Sequence, residues 1–451
     1  LSRMLRAQLT LRGQVGGPFE SQNPGILSLV HEFPDTTPSL GFNEAFAELR
    51  TGDLQVRAGI QKFAWGKLDG QPPTDVLSPR DLHDPIVRDY EESKIGIPAL
   101  QATYFLPPVP SFDLTELRAS LVYIPWAVPS RLALADERWF PPSISARELI
   151  PERQAERLVN GVLQEIDPGA PPIDLDGPVR VPFTVRTRNA APPKTFDAGG
   201  IAFRLAGTWR EMDWSLSHYT GPDTGPNASL SAEAFCHDCV ATLPAGQLAI
   251  RARSVLRQEH DVMHMTGADW SAVLAGATAR AEVAVFQNRP YLAITRDLIA
   301  DALQPAQVAK YGPPLIVKGH ARVPLGELFP RRNSVEWGVG ADYLIQGFLP
   351  LLQVGQVIFT DSGPPQLLSN PETRLIGSIR RRFLQDTLEA EVRGVYAFER
   401  RAWFVFPRIT YRLGDNWRLR TGYLGIGGPL DSYIGQFHAN DEFVFEARYS
   451  F

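Results

Sequence analysis

Apolar and polar residues alternate singly over one stretch of this chain after another. Leu388, Ala390, Val392, Gly394, Tyr396 and Phe398 take every second position, with Thr387, Glu389, Glu391 and Arg393 between them. The same period runs through Ala7, Leu9, Leu11 and Val15 against Arg6, Gln8, Thr10, Arg12 and Gln14. It recurs in Val335, Trp337, Val339, Ala341, Tyr343 and Ile345 against Glu336, Gly338, Gly340 and Asp342, where the small residues leave the polar face open. Successive side chains of an extended strand point to opposite faces, so a period of two predicts strands with one apolar and one polar face. The pattern closes on Phe443, Phe445, Ala447, Tyr449 and Phe451 opposite Val444, Glu446, Arg448 and Ser450.

The pattern predicts strands near 4–15, 42–50, 54–64, 97–106, 114–124, 200–209, 212–220, 247–260, 272–287, 315–325, 334–345, 348–360, 373–384, 387–399, 402–413, 417–427 and 442–451. An up-and-down barrel with both termini on one side needs an even number, and Tyr291-Leu292-Ala293-Ile294-Thr295 is the candidate for the missing strand. Adding it places the tight turns Thr51-Gly52-Asp53, Gln385-Asp386 and Gly414-Asp415-Asn416 at one end. Two long insertions, 65–95 and 126–198, then emerge at the other end. The first is rich in Pro, Asp and Gly. The second carries Ala146 to Val159, which reads as a short helix with Pro151 near its start.

Length alone, 451 residues, would point to two or three soluble domains, but strands recur from end to end with no linker, so residues 1–451 are expected to form one domain. Mean hydropathy is slightly negative. No apolar run approaches the ~20 residues of a membrane-spanning helix. Barrels escape that test because half of each strand faces water. The expectation is an all-β protein: a transmembrane antiparallel β-barrel of roughly 16–18 strands in a bacterial outer membrane, with long extracellular loops. Leu1-Ser2-Arg3 leads almost directly into a strand, as in a processed chain. A formal charge of −5 gives no reason to expect nucleic acid as a partner. Of the 45 basic residues only six are lysines, which favours planar, fixed-geometry pairing with carboxylates.

The segment Leu54-Gln55-Val56-Arg57-Ala58-Gly59-Ile60-Gln61-Lys62-Phe63-Ala64-Trp65-Gly66, with Ser78-Pro79-Arg80-Asp81-Leu82 after it, resembles a family of large proteobacterial outer-membrane barrels of unassigned role. In that family a Gly-Arg-Gln strand leads to Trp-Gly and a conformationally restricted loop. Trp337-Gly338-Val339-Gly340-Ala341-Asp342-Tyr343 is similar to its second recurrent segment, while Gln61-Lys62 departs from the more typical Arg-Gln pair. The resemblance implies an outer-membrane pore or export component and no catalytic residues. The aromatic tail (Phe443, Phe445, Tyr449, Phe451) likewise resembles the signal by which such barrels engage the barrel assembly machinery. Removing Phe451 is therefore expected to leave synthesis intact and sharply lower heat-modifiable barrel in the outer membrane. Unchanged insertion would refute that assignment.

Candidate chemistry is confined to three clusters. If the apolar face is outward, Arg374, Arg380, Arg382, Glu389, Glu391, Arg393, Arg408, Arg412, Arg418, Arg420, Glu446 and Arg448 form an inward ladder. Such a ladder either orients anionic or dipolar solutes or braces the wall by cross-strand pairs. Cys236-His237-Asp238-Cys239 is a disulfide candidate through Cys236 and Cys239, or part of a metal site needing further ligands. A c-type haem is excluded because residue 240 is Val, and no cofactor is expected. His260, Asp261, His264 and Asp269 surround Met263 and Met265, as structural histidines or a metal site. No nucleophile elbow, phosphate loop or dinucleotide fingerprint occurs, and no enzyme activity is expected. Trp403, Tyr411, Trp417 and Tyr423 are placed toward strand ends, at the headgroup layer.

These features lead to a channel in contact with outer-membrane lipid, passing a small-molecule or lipid-like solute through a loop-constricted lumen. The alternative is a structural sleeve enclosing or anchoring an envelope partner, such as a multihaem cytochrome or a secretion component. A constriction by the insertions favours the first, an open bore the second.

Overall fold

The computed structural model describes residues 4–14, 39–82, 85–133, 138–142, 149–150, 169, 179–180, 183–189, 195–196, 198–225, 227–236, 250–293, 315–317, 320–327, 329–363 and 366–449. Sixteen strands form one sheet. They are β1 (Met4–Gln14), β2 (Ser39–Thr51), β3 (Leu54–Gln61), β4 (Ile97–Phe105), β5 (Leu114–Ile124), β6 (Gly200–Trp209), β7 (Met212–Pro222) and β8 (Val262–Leu274). They continue as β9 (Ala277–Pro290), β10 (Arg331–Tyr343), β11 (Phe348–Phe359), β12 (Glu372–Phe383), β13 (Leu388–Ala397), β14 (Ala402–Leu413), β15 (Trp417–Gly427) and β16 (Glu442–Tyr449). Each pairs antiparallel with the next, an up-and-down meander. Tight connections such as Thr51–Leu54, Leu274–Ala277 and Leu413–Trp417 gather at one end, and the long ones at the other. At the β8–β9 turn Ala275 and Gly276 both adopt positive φ, 50° and 84°, which reverses the chain within two residues.

Register sorts the side chains by face. Ile379 pairs with Val392 and Val392 with Pro407, while Arg380 pairs with Glu391 and Glu391 with Arg408. The first row belongs to an outer face of exposed large apolar residues that also includes Leu121, Leu216, Leu352 and Ile409. Trp403 lies near one end of β14 and Tyr411 near the other, and Trp417 begins β15. Tyr423 instead lies within β15, ring to ring with Phe443 at 4.8 Å, so the expectation of a strand-end position fails for that residue.

A second sheet of five strands continues beyond the long-connection end. Asn227–Cys236 and Ile250–Glu259 pair antiparallel and extend the β7–β8 hairpin past Pro222 and Val262. His320–Glu327, Leu315–Val317 and Phe183–Asn189 complete it, the last parallel to Ile250–Glu259.

The structure corrects the strand inventory in four places. The stretches 247–260 and 315–325 contribute to the second sheet, not to the sixteen-stranded wall. The wall strand absent from the sequence-based set is β8, whose polarity is inverted over its first residues. Its inner Met263 and Met265 are buried, while outward His264 and Thr266 join Thr220 and His218 in a hydrogen-bonded row. Tyr291-Leu292-Ala293 leaves the sheet, with Tyr291 buried against Ser334 and Glu336 and Ala293 in an isolated bridge to Gln366; Ile294 and Thr295 lie outside the described residues. The helix expected over 146–159 also lies outside them, apart from Leu149–Ile150, which pairs with Val179–Arg180 as strand. The described α-helix in the long connections is Tyr90–Ser93, in the first insertion.

Candidate functional site: a loop between an apolar wall and an arginine wall

The described residues between Lys62 and Gly96 do not leave the sheet but lie along its inner face. Phe63 N donates to Ser78 Oγ at 2.8 Å and Trp65 N to Asp75 Oδ1 at 3.2 Å. Lys94 Nζ sits 2.5 Å from Asp75 Oδ2, with both side chains essentially inaccessible. Burial pushes the Asp75 carboxyl up, against the pull of Lys94. Arg80 stacks 4.4 Å over Tyr90 and donates to Ser93 Oγ, tying the Tyr90–Ser93 turn to the preceding part of the loop.

One side of this loop is apolar. Phe63, Trp65, Val76 and Leu77 join Ile97, Val122, Ala202, Met263, Met265 and Phe286 from β4, β5, β6, β8 and β9 in a single buried cluster. Here the inner face is apolar because it is covered, which explains the inverted pattern of β8. At the edge of the cluster the Glu282 carboxylate of β9 accepts from the backbone N–H of Lys67, Leu68 and Thr74 and from Thr74 Oγ1. Gly66, at φ +93°, is required there, since a Cβ would lie 2.8 Å from Glu282 Oε1. Gly338 of β10 does the same for Leu68, whose Cδ1 would stand 2.7 Å from an added Cβ.

The other side is charged. Asp89 accepts from Arg408 at 2.6 Å, Arg393 at 2.8 Å and Arg420 at 3.3 Å. Glu92 accepts from Arg448 at 2.8 Å and Arg418 at 3.3 Å. Gln71 accepts from Arg374 at 2.6 Å, and Arg393 also reaches the carbonyls of Ile86 and Val87. Burial raises the Asp89 carboxyl, but the charges of Arg408, Arg393 and Arg420 outweigh it and hold the group below the usual carboxylate range. Glu92 is held low in the same way, burial being overcome by Arg448. One segment thus touches strands from β4 to β16, and the sheet curls around it.

By register the ladder residues share the face against which the loop lies. Arg382 meets Glu389 at 2.9 Å, Arg420 meets Glu446 at 3.2 Å, and Arg408 bonds Glu391. Cross-strand bracing and contact with the loop therefore coexist. Arg380 and Arg412 make no ion pair among the described residues. The sequence did not reveal Asp89 and Glu92 as partners of the ladder. The available signal was the acidic excess of residues 65–95, seven carboxylates against four Lys and Arg.

The described part of the second insertion crosses the long-connection end. Ser130 N donates to Thr224 O at 2.7 Å, Arg131–Leu132 pairs with Asp81–Leu82, and Arg138 reaches Glu442 at 3.2 Å. Trp139 packs on Phe437 with ring centroids 5.4 Å apart.

The other clusters do not assemble a site among the described residues. No group of three metal-ligating side chains occurs there. His264 faces Thr220 outward, whereas Asp269 is buried inward against Arg204 at 2.9 Å and Ser215. His260 lies 3.4 Å from the Asp223 carbonyl. The Cys236–Cys239 pair and Phe451 fall outside the described residues, Cys236 except for its backbone in strand Asn227–Cys236. Phe443, Phe445 and Tyr449 are exposed on the outer face of β16.

No protein-family model and no curated protein matches this chain. Among solved structures it is similar to Acinetobacter baumannii OccAB1, at 10% identity and a TM-score of 0.42, over 99% of this chain and 85% of that one. The outer membrane protein opdK from Pseudomonas aeruginosa is similar at 11% identity and a TM-score of 0.41, over 99% and 87%. A triple mutant of the Rhodopseudomonas blastica porin is similar at 11% identity and a TM-score of 0.34, over 100% of both.

Proposed function

We propose that this chain is an outer-membrane channel for small solutes, constricted by the loop 62–96. The observation that carries the proposal is that loop, which reaches from the apolar cluster of β4–β9 to the arginines of β12–β16. A sleeve needs an open bore, and this inner face is crossed by the protein's own chain. The outer face supports a membrane setting. Exposed apolar residues of this number would form a patch far larger than water-soluble monomers carry. Trp403 and Tyr411 are about 26 Å apart along β14, which at a barrel-like tilt is about 20 Å of height, close to the apolar band of such barrels. By this orientation the short turns are periplasmic and both insertions extracellular.

The ladder holds nine arginines and three glutamates, and Asp89 and Glu92 return two more negative charges to it. The residual positive field, including Arg380 and Arg412, supports a weak preference for anions over cations. Folded protein in planar bilayers is expected to give stepwise conductance with a reversal potential displaced modestly toward chloride. Verified insertion without conductance steps would overturn the channel in favour of the sleeve, and cation selectivity would overturn the assigned charge of the passage.

A further inference from the structure

On the outward positions of β12 to β16 a single residue is charged, and it is Arg381. Its guanidinium lies 4.4 Å from the Phe348 ring centroid and 5.1 Å from that of Phe383, and among the described residues it has no ion-pair partner. Beside it a groove of about 490 Å³ runs across the outer face, lined by Ile379, Val392, Pro407, Ile409, Tyr423 and Phe443. Ala390 and Thr421, in the same register row as Arg381, are small and leave the floor of the groove open. The groove therefore joins an unneutralised cation to an apolar trough.

Height distinguishes the two ends. Arg381 is two residues from the end of β12, about 7 Å along the strand from the rim, within a long side chain's reach of a headgroup layer about 5–7 Å thick. Tyr423 and Phe443 stand farther up the wall, in the apolar band. A lone guanidinium on a lipid-facing wall is costly unless a counter-charge meets it. A phospholipid meets both requirements, with a phosphate at the rim and acyl chains pointing inward from it.

We propose that this groove is a phospholipid site, in which Arg381 pairs with the lipid phosphate and one acyl chain lies along Ala390, Ile409 and Thr421 toward Tyr423. The inference rests on the membrane reading above. Its test is native mass spectrometry of the folded protein in dodecyl maltoside with added dioleoylphosphatidylglycerol. Wild type is expected to retain one lipid molecule. R381Q should lower that retention about tenfold, the size of one charge-assisted hydrogen bond, while R381K keeps most of it. T421W, which fills the trough and leaves Arg381 in place, should lose the lipid as well. Equal retention by wild type and R381Q overturns the site, as does equal retention of dioleoylglycerol, which lacks the phosphate. Displacement by millimolar inorganic phosphate with no effect of T421W would reduce it to an anion site without a lipid. Heat-modifiable mobility and vesicle insertion are measured for every variant. Wild type that folds but does not insert overturns the membrane reading with the site, whereas insertion without lipid preference overturns the site alone.

Discussion

Asp89→Asn is expected to raise the anion-to-cation permeability ratio about two- to fivefold at pH 7, corresponding to a bias of about 0.5–1 kcal/mol. Asp89 is, among the described residues, the one carboxylate on which three guanidinium groups converge, those of Arg393, Arg408 and Arg420. Asn keeps the shape of the side chain and removes its charge, so the arginines face the passage less neutralised. Acid should have the same effect on the wild type. Asp89 and Glu92 are both held below the usual carboxylate range. A group depressed in this way contributes its stabilisation above the ordinary carboxylate pKa, and loses it as pH falls through the lower folded-state value. Selectivity should therefore be flat from neutrality to about pH 4 and turn more anionic below that. Asp89→Asn should show a smaller acid step, carried by Glu92. Reversal potentials across a KCl gradient read both effects, and an unchanged ratio in Asp89→Asn at pH 7 would show that the passage does not run past this cluster.

The second large effect is expected from Lys94→Met. The Lys94–Asp75 pair is buried on both sides, and Asp75 also receives Trp65 N. Removing the cation alone strands a carboxylate already raised by burial, at a cost of about 3–5 kcal/mol. That cost falls on the loop and not on the hydrogen-bonded wall. The expected outcome is a folded, heat-modifiable barrel whose 62–96 segment is cut rapidly by external protease, with larger and noisier conductance. Lys94→Met combined with Asp75→Asn should cost less than the sum of the two, because no unpaired charge remains. Wild-type protease resistance in Lys94→Met would mean that the apolar cluster alone holds the loop.

The wall was legible where one face of the sheet is apolar and exposed and the other is polar. β13 and β14 alternate because Val392 and Ile409 face out while Glu391 and Arg408 face in. That rule fails where the inner face is covered. On β8 the loop turns the inside apolar, and the row of His218, Thr220, His264 and Thr266 turns the outside polar, so the first residues alternate in the opposite phase to Ala268, Asp269 and Trp270. Alternation also cannot tell which sheet a strand joins, since Ile250–Glu259 pairs by the same geometry as a wall strand. The ladder could be read from parity, but its partners could not. Asp89 and Arg393 are separated by 304 positions, and nothing local in either segment names the other.

The loop is fastened by two unlike means, and the surrounding electrolyte acts on them in opposite directions. Chloride at molar concentration shortens the Debye length to about 3 Å and weakens the hold of Asp89 and Glu92 on their arginines. Sulfate, excluded from apolar surface, tightens the grip of Phe63, Trp65 and Leu77 on the opposite wall. The loop would then swing from its apolar attachment as from a hinge, with the arginine side as the edge that comes free. On the channel reading proposed above, the width of the passage becomes a property of the surrounding salt as much as of the chain.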